Sequence, residues 1–237
     1  MEGKFDRDRR LAGHKSATIV VVGGGLAGMS AAISAADARA NVILLEKEPR
    51  TGGNSAKATS GINGWGTDTQ AESGVADEER YFERDTFRSG AGGQSDHGLV
   101  RTLSSKSADA VHWLKHRFGV PLTVLSQLGG HSAKRTHRAP PTNGRPVPIG
   151  WKITSTLKEA IDTEFVGRIE VRCGQAVTRL VHEVRADGSK TVTGVEVNGN
   201  HVINADAVVL ATGGFGCCQS KDGLMGRFRP DVSALYE

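Results

Sequence analysis

The sequence predicts an α/β fold, in which a parallel sheet with covering helices is joined to an antiparallel β-meander. Three observations carry that expectation. Residues 18–28 read Thr-Ile-Val-Val-Val-Gly-Gly-Gly-Leu-Ala-Gly, a continuous β-branched run that breaks into glycines. Gly23, Gly25 and Gly28 stand at the spacing G-x-G-x-x-G, with a small-residue helical segment after them. A second apolar run, Asn-Val-Ile-Leu-Leu at 41–45, ends on Glu46, an acid roughly 20 residues past the glycines. Further on, β-branched segments are separated by Asp187-Gly188 and followed by Asn198-Gly199, both strong hairpin signals. Strand, glycine turn, helix, strand and acid together make a Rossmann-like dinucleotide-binding unit, although the glycine fingerprint alone would be weak.

The elements follow in order. Residues 1–16 carry charges of both signs and no apolar core, so they read as a disordered leader rather than a targeting signal. Residues 18–22 form a buried parallel strand, residues 26–38 a thin helix rich in alanine and serine, and residues 41–45 the second strand. Residues 49–66 hold many glycines, serines and threonines but hardly a large apolar side chain. A loop of that length is commonly functional or disordered, and its place after the acid favours function. Asp96 caps a helix running to about residue 118, with Leu99, Leu103, Val111 and Leu114 as its core stripe. After a short apolar stretch at 120–125, Gly129 and Gly130 open a polar loop reaching about residue 150. Residues 154–165 form a second amphipathic helix with Leu157, Ile161 and Phe165 on one face. Residues 168–172, 176–184 and 191–197 read as the antiparallel meander. Residues 205–216 then supply another buried strand, ending in Thr212-Gly213-Gly214. A domain that binds only a nicotinamide dinucleotide would continue with further βα units instead.

Composition narrows the function classes. The 237 residues are 38% hydrophobic and 24% charged, which describes a globular chain. No apolar run is long enough to span a bilayer. The net charge of +4 is mild and the signs are interspersed, so a nucleic-acid partner is not expected. Cys173, Cys217 and Cys218 fit neither a disulfide framework nor metal-ligand spacing. An intracellular, reducing compartment and no metal are therefore expected. His112, His116, His182 and His201 read as surface or internally satisfied residues.

The glycines have distinct physical jobs. The first permits the tight turn, the second lets backbone approach a pyrophosphate, and the third brings helix and strand close together. The helix start presents its positive end to the phosphates. A carboxylate at position 46 can accept hydrogen bonds from ribose hydroxyls.

Five stretches give the chain a joint pattern. They are Val21-Val-Gly-Gly-Gly-Leu-Ala-Gly28, Leu45-Glu-Lys-Glu-Pro49, Gly52-Gly-Asn-Ser-Ala-Lys-Ala-Thr-Ser-Gly-Ile-Asn63, Gln127-Leu-Gly-Gly-His-Ser-Ala-Lys-Arg-Thr-His-Arg138 and Ala211-Thr-Gly-Gly-Phe-Gly216. With these the chain resembles the FAD-dependent fumarate reductase and succinate dehydrogenase flavoproteins, above all the soluble eukaryotic NADH-dependent fumarate reductases. The resemblance implies a glutathione-reductase-type FAD-binding domain over residues 17–237. It implies that Gly23, Gly25, Ala27 and Gly28 hold the pyrophosphate and Glu46 the adenosine ribose. Asn54, Ser55, Thr59, Ser60 and Gly61 would line the flavin side, Val177 would meet the adenine end through its backbone, and Ala211, Thr212 and Gly213 would back the cofactor. Membrane-bound members attach FAD through a histidine in the loop where Asn54 stands here, which implies non-covalent FAD.

The activity implied is hydride transfer from reduced flavin to fumarate, giving succinate, with a proton delivered by an arginine. That arginine, most substrate-binding groups, the capping domain and a returning segment belong to later parts of such proteins. The chain is thus expected to be an incomplete FAD-binding domain without catalytic residues of its own. Alternatives are a non-catalytic or vestigial flavin-binding protein, and a related flavoenzyme acting on another dicarboxylate or an enone. The basic cluster at 134–138 admits either a face toward a dianionic substrate, with His137 its best candidate, or a solvated or domain-tying loop. His131 reads either as functional or as a loop-stabilising hydrogen-bond partner.

Overall fold

The computed structural model describes residues 16–90, 94–216, 218 and 222–233. Apart from Ser16, the expected leader lies outside the described residues, as does Cys217. The centre is a four-stranded sheet built from β1 (Thr18–Val22), β2 (Asn41–Leu45), β6 (Ile169–Arg172) and β10 (Ala207–Leu210), in the order β10-β1-β2-β6. Every neighbouring pair runs parallel, with Val21 opposite both Leu44 and Val209. Between β1 and β2 lies α1 (Leu26–Asp37).

Because side chains alternate along a strand, the two faces of β1 and β2 serve different layers. Val21, Val42 and Leu44 face Met29, Ala32 and Ile33 of α1 and Ile153, Leu157 and Ile161 of a second helix, α5 (Ile149–Thr163). Val20, Val22 and Leu45 face the other way, onto Val195, Val197 and Ile203. Those three belong to the antiparallel meander β7 (Val177–Val184), β8 (Lys190–Val197) and β9 (His201–Asn204). Helices, parallel sheet and meander are three layers, and residues 19–22 of β1 and 42–45 of β2 are all apolar because both faces of these two strands are covered. Each such Val or Leu contributes roughly 1.5–3 kcal/mol by leaving water.

A smaller sheet, β3 (Ile62–Asn63), β5 (Thr136–Arg138) and β4 (Val124–Ser126), ties the long glycine loop to the polar loop. Around it sit α2 (Asp68–Glu72), α3 (Glu79–Ser89) and α4 (His97–His112), the last continuing into a π turn at Trp113–Arg117. Two short helices, α6 (Leu224–Phe228) and α7 (Pro230–Ser233), follow. Among the described residues no helix is long and apolar enough to cross a membrane.

Several expectations are corrected. Residues 168–172 belong to the parallel sheet and not to the meander, because α5 before them is the crossover a parallel strand requires. The strand at 207–210 is an edge, with Val209 37% and Leu210 59% exposed, not a buried one. The helix capped by Asp96, whose carboxylate accepts from the Leu99 N–H at 2.8 Å, turns Leu99 and Leu103 outward. Its buried stripe is Val100, Ser104, Ser107, Val111 and Leu114. The two serines tolerate burial because their hydroxyls donate to helix carbonyls, at 3.1 Å to Arg101 and 3.0 Å to Ser104. Helix α5 starts at Ile149, five residues before the expected position.

Candidate cofactor site

The two glycine segments meet at the start of α1. Gly23 N–H donates to the Leu45 carbonyl at 2.7 Å, folding the chain back over the end of β2. Gly52 N–H donates to the Gly24 carbonyl at 2.8 Å, and Gly25 and Gly52 form a parallel bridge. Ser55 Oγ accepts the Leu26 N–H at 3.3 Å, so the second loop caps the helix. Ala27, one residue later, is exposed in the first turn, where unpaired amides and the helix dipole favour an anion.

A Cβ on Gly28 would overlap the Gly23 carbonyl oxygen and lie 3.5 Å from Ala211 Cβ. Only glycine lets the helix sit this deep in the turn. Ala211 N–H donates to the Val22 carbonyl at 2.8 Å, which puts residues 211–213 behind the same turn. Thr212 and Gly213 are exposed there.

Glu46 is 6% exposed at the end of β2. Its Oε2 accepts the Gly24 N–H at 2.7 Å and its Oε1 the Glu48 N–H at 2.9 Å. The acid therefore fastens the glycine turn, and an ionised carboxylate, with about four acceptor sites, keeps capacity for two hydroxyls. Gln175 N–H donates to the Glu46 carbonyl at 2.9 Å, bringing the approach to Val177 alongside. Glu46→Gln removes one acceptor and turns an amide N–H toward a backbone N–H. That variant is expected to lose about 1–3 kcal/mol of stability and to bind FAD more weakly, read by urea unfolding and by flavin fluorescence.

Asn54, Thr59 and Ser60 are exposed along the second loop, and Gly61 sits partly buried against β5. Asn54 Oδ1 accepts from Lys57 Nζ at 3.3 Å. Two clefts border this loop. One of about 160 Å³ includes Leu26, Ser55 and Gly61, and one of about 220 Å³ includes Thr59, Ser60 and Arg138. The sequence left unnoticed what holds the loop from behind. A Cβ at Gly150 would overlap the Ser55 carbonyl oxygen, and Gly150 N–H donates to the Ala58 carbonyl at 2.9 Å.

Within the basic cluster Lys134 is exposed and Arg138 half-buried, but Arg135 and His137 depart from the expectation of a solvated or substrate-facing group. Arg135 is fully buried, donating to both Asp77 oxygens at 2.9 and 2.7 Å and to Asp85 Oδ2 at 2.6 Å. Burial opposes its charge, but the bonds to Asp77 and Asp85 outweigh this and raise its pKa. His137 is buried as well, and burial lowers its pKa. Its Nδ1 lies 2.9 Å from the Arg135 carbonyl and its Nε2 lies 2.7 Å from Thr67 Oγ1. A carbonyl only accepts, so Nδ1 carries the proton and Nε2 accepts from the threonine. Neither side chain is a solvated or substrate-facing group; both pin β5, and through it Gly61. His131 is lowered by burial and by neighbouring Arg135, whose Nη1 is 3.4 Å from its Nδ1. It is a loop-stabilising partner.

Asp85 gives this network a pH signature. Burial works against its charge, yet bonds from Arg135 and Ser132 hold the carboxyl down at about 2. A depressed native pKa stabilises the fold above the unfolded value of about 3.9 and loses that stabilisation as pH falls toward 2. Chemical denaturation between pH 5 and pH 2 is expected to show the loss, and Asp85→Asn to flatten its slope.

The FAD binding domain family matches residues 18–232. The chain belongs to that family. Fumarate reductase of Schizosaccharomyces pombe is 38% identical over 221 residues, 91% of this chain and 42% of that protein. The open form of a flavocytochrome c3 fumarate reductase superposes with a TM-score of 0.77 at 35% identity, over 98% of this chain and 40% of that one. The 3-ketosteroid-Δ4-(5α)-dehydrogenase of Rhodococcus jostii RHA1 gives 0.74 at 25%, over 91% and 49%. The chain is an FAD-binding domain of fumarate-reductase-like flavoproteins, and it spans less than half the length of these relatives. FAD is its cofactor, and a turn open at the helix start, with a buried acid at the next strand end, fits a dinucleotide.

Proposed function

We propose that this chain is the FAD-holding part of an oxidoreductase that takes fumarate to succinate, acting with segments that make up the rest of its relatives. The observation that carries this reading is the likeness to two fumarate reductases over nearly the whole chain. Gly23, Gly25, Ala27 and Gly28 hold the pyrophosphate at the start of α1. Glu46 takes the adenosine ribose with the acceptor capacity its two amide bonds leave. Asn54, Ser55, Thr59, Ser60 and Gly61 line the flavin side, Val177 meets the adenine end through its backbone, and Ala211, Thr212 and Gly213 back the cofactor. FAD supplies hydride-transfer chemistry; the chain binds it, orients it and keeps water from one side. Asn54 offers no imidazole, so the attachment is non-covalent. The exposed free thiols of Cys173 and Cys218 suit a reducing compartment.

The test is oxidation of a reduced viologen dye by the longest native form of the protein, purified from its source. Fumarate-dependent oxidation is expected. The likeness to a ketosteroid dehydrogenase favours a second reading, an enone substrate, and turnover of 4-androstene-3,17-dione without fumarate activity would select it. Flavin-loaded protein inert toward both would point to a non-catalytic role.

A further inference from the structure

We propose that Asp68, His112 and His116 form a binding site for a divalent transition-metal ion of the zinc class, fastening α2 to the end of α4. Asp68 opens α2, His112 closes α4, and His116 lies in the π turn beyond it. Four residues make slightly more than one turn of α-helix and slightly less than one of π-helix, so both rings face the same side in either geometry. One nitrogen from each ring and one carboxylate oxygen all lie within 4.8 Å of one another. His116 Nε2 is 2.9 Å from Asp68 Oδ2, and His112 Nε2 is 3.7 Å from Oδ1. Tetrahedral bonds of about 2.05 Å put donor atoms about 3.4 Å apart, so small side-chain rotations complete the set.

The corner already binds one cation, and a metal would take its place. Lys115 Nζ lies 2.9 Å from Asp68 Oδ2, where it neutralises the carboxylate and is the group a metal displaces. His112 Nε2 accepts the Asp68 N–H at 3.2 Å and His116 Nε2 donates to Asp68 Oδ2, so a metal binding these nitrogens takes over the first lone pair and displaces the second proton. Two imidazoles and one carboxylate select Zn²⁺ or Ni²⁺ over Mg²⁺ or Ca²⁺, and a fourth position stays open to water. None of the three residues belongs to the FAD cradle. Thr67, next to Asp68, bonds His137 under β5, so the ion would brace the same scaffold that holds Gly61.

Isothermal titration of the full chain with Zn²⁺, Ni²⁺ and Mg²⁺, paired with thermal unfolding, tests the proposal. One equivalent of Zn²⁺ or Ni²⁺ is expected to bind and raise the melting temperature, while Mg²⁺ does neither. The side chain of His116 is 60% exposed, so His116→Ala leaves packing intact. That variant should weaken binding by more than the ~100-fold at the top of the range for losing a mere supporting group. His112→Gln, which keeps an acceptor for the Asp68 N–H, should do the same. Absence of binding, or Zn²⁺ and Ni²⁺ affinities unchanged in both variants, overturns it.

Discussion

Gly28→Ala is expected to destabilise the chain by about 3 kcal/mol or more, the upper end of what overpacking costs. The reason is what the new methyl group would strike. It would overlap the Gly23 carbonyl oxygen and stand 2.9 Å from the Gly23 carbonyl carbon. Gly23 cannot move aside, because its N–H is bonded to Leu45 and the carbonyl of the adjoining Val22 accepts from Ala211. Nor can the helix back away without opening Met29 and Ile33, both fully buried, against the sheet. For a chain of this size each kcal/mol shifts the melting temperature by about 2–4 °C, so a drop of roughly 6–12 °C is expected in calorimetry. FAD affinity falls with it, since the displaced turn is the pyrophosphate seat. Gly129→Ala is the control. Nothing lies within 4 Å of a Cβ there, and a change within about 0.5 kcal/mol is expected.

Arg135→Ala is expected to cost about 3–5 kcal/mol, because it strands buried carboxylates without their cation. Asp77 and Asp85 have side chains only 1% and 4% exposed, and one guanidinium serves both through three bonds. Arg135→Lys should recover only part of the loss, since an ammonium cannot reproduce the planar fork across two acids. Urea unfolding of the three proteins gives the order wild type, lysine, alanine. Equal stability of all three would mean that the buried network contributes nothing to the fold.

What the sequence made legible is what short-range pattern encodes. The strand–glycine–helix–strand–acid unit spans under 30 residues, and each of its parts announces itself through backbone need or apolar run. The meander turns were readable for the same reason, since Asn198 and Gly188 adopt positive φ there. The edge position of β10 was not, because Ala-Val-Val-Leu looks alike whether one side of a strand is paired or both. The outward turn of Leu99 and Leu103 was hidden by two serines that bury themselves on helix carbonyls, so the apolar count pointed to the wrong stripe. The Arg135 network was invisible for another reason. Its partners lie 58 and 50 residues away, across α3 and the polar loop, and no local pattern links them. Charge at 134–138 suggested solvent, whereas a buried arginine with two acids is the cheaper arrangement once the loop must be pinned.

The cofactor is the central claim, and one measurement reaches it directly. The purified chain, reconstituted with FAD and desalted, should carry one flavin per chain by absorbance, and acid precipitation should leave the yellow colour in the supernatant. A chain that is folded by circular dichroism yet retains no flavin would contradict the cradle. Flavin that stays in the acid pellet would contradict its non-covalent attachment.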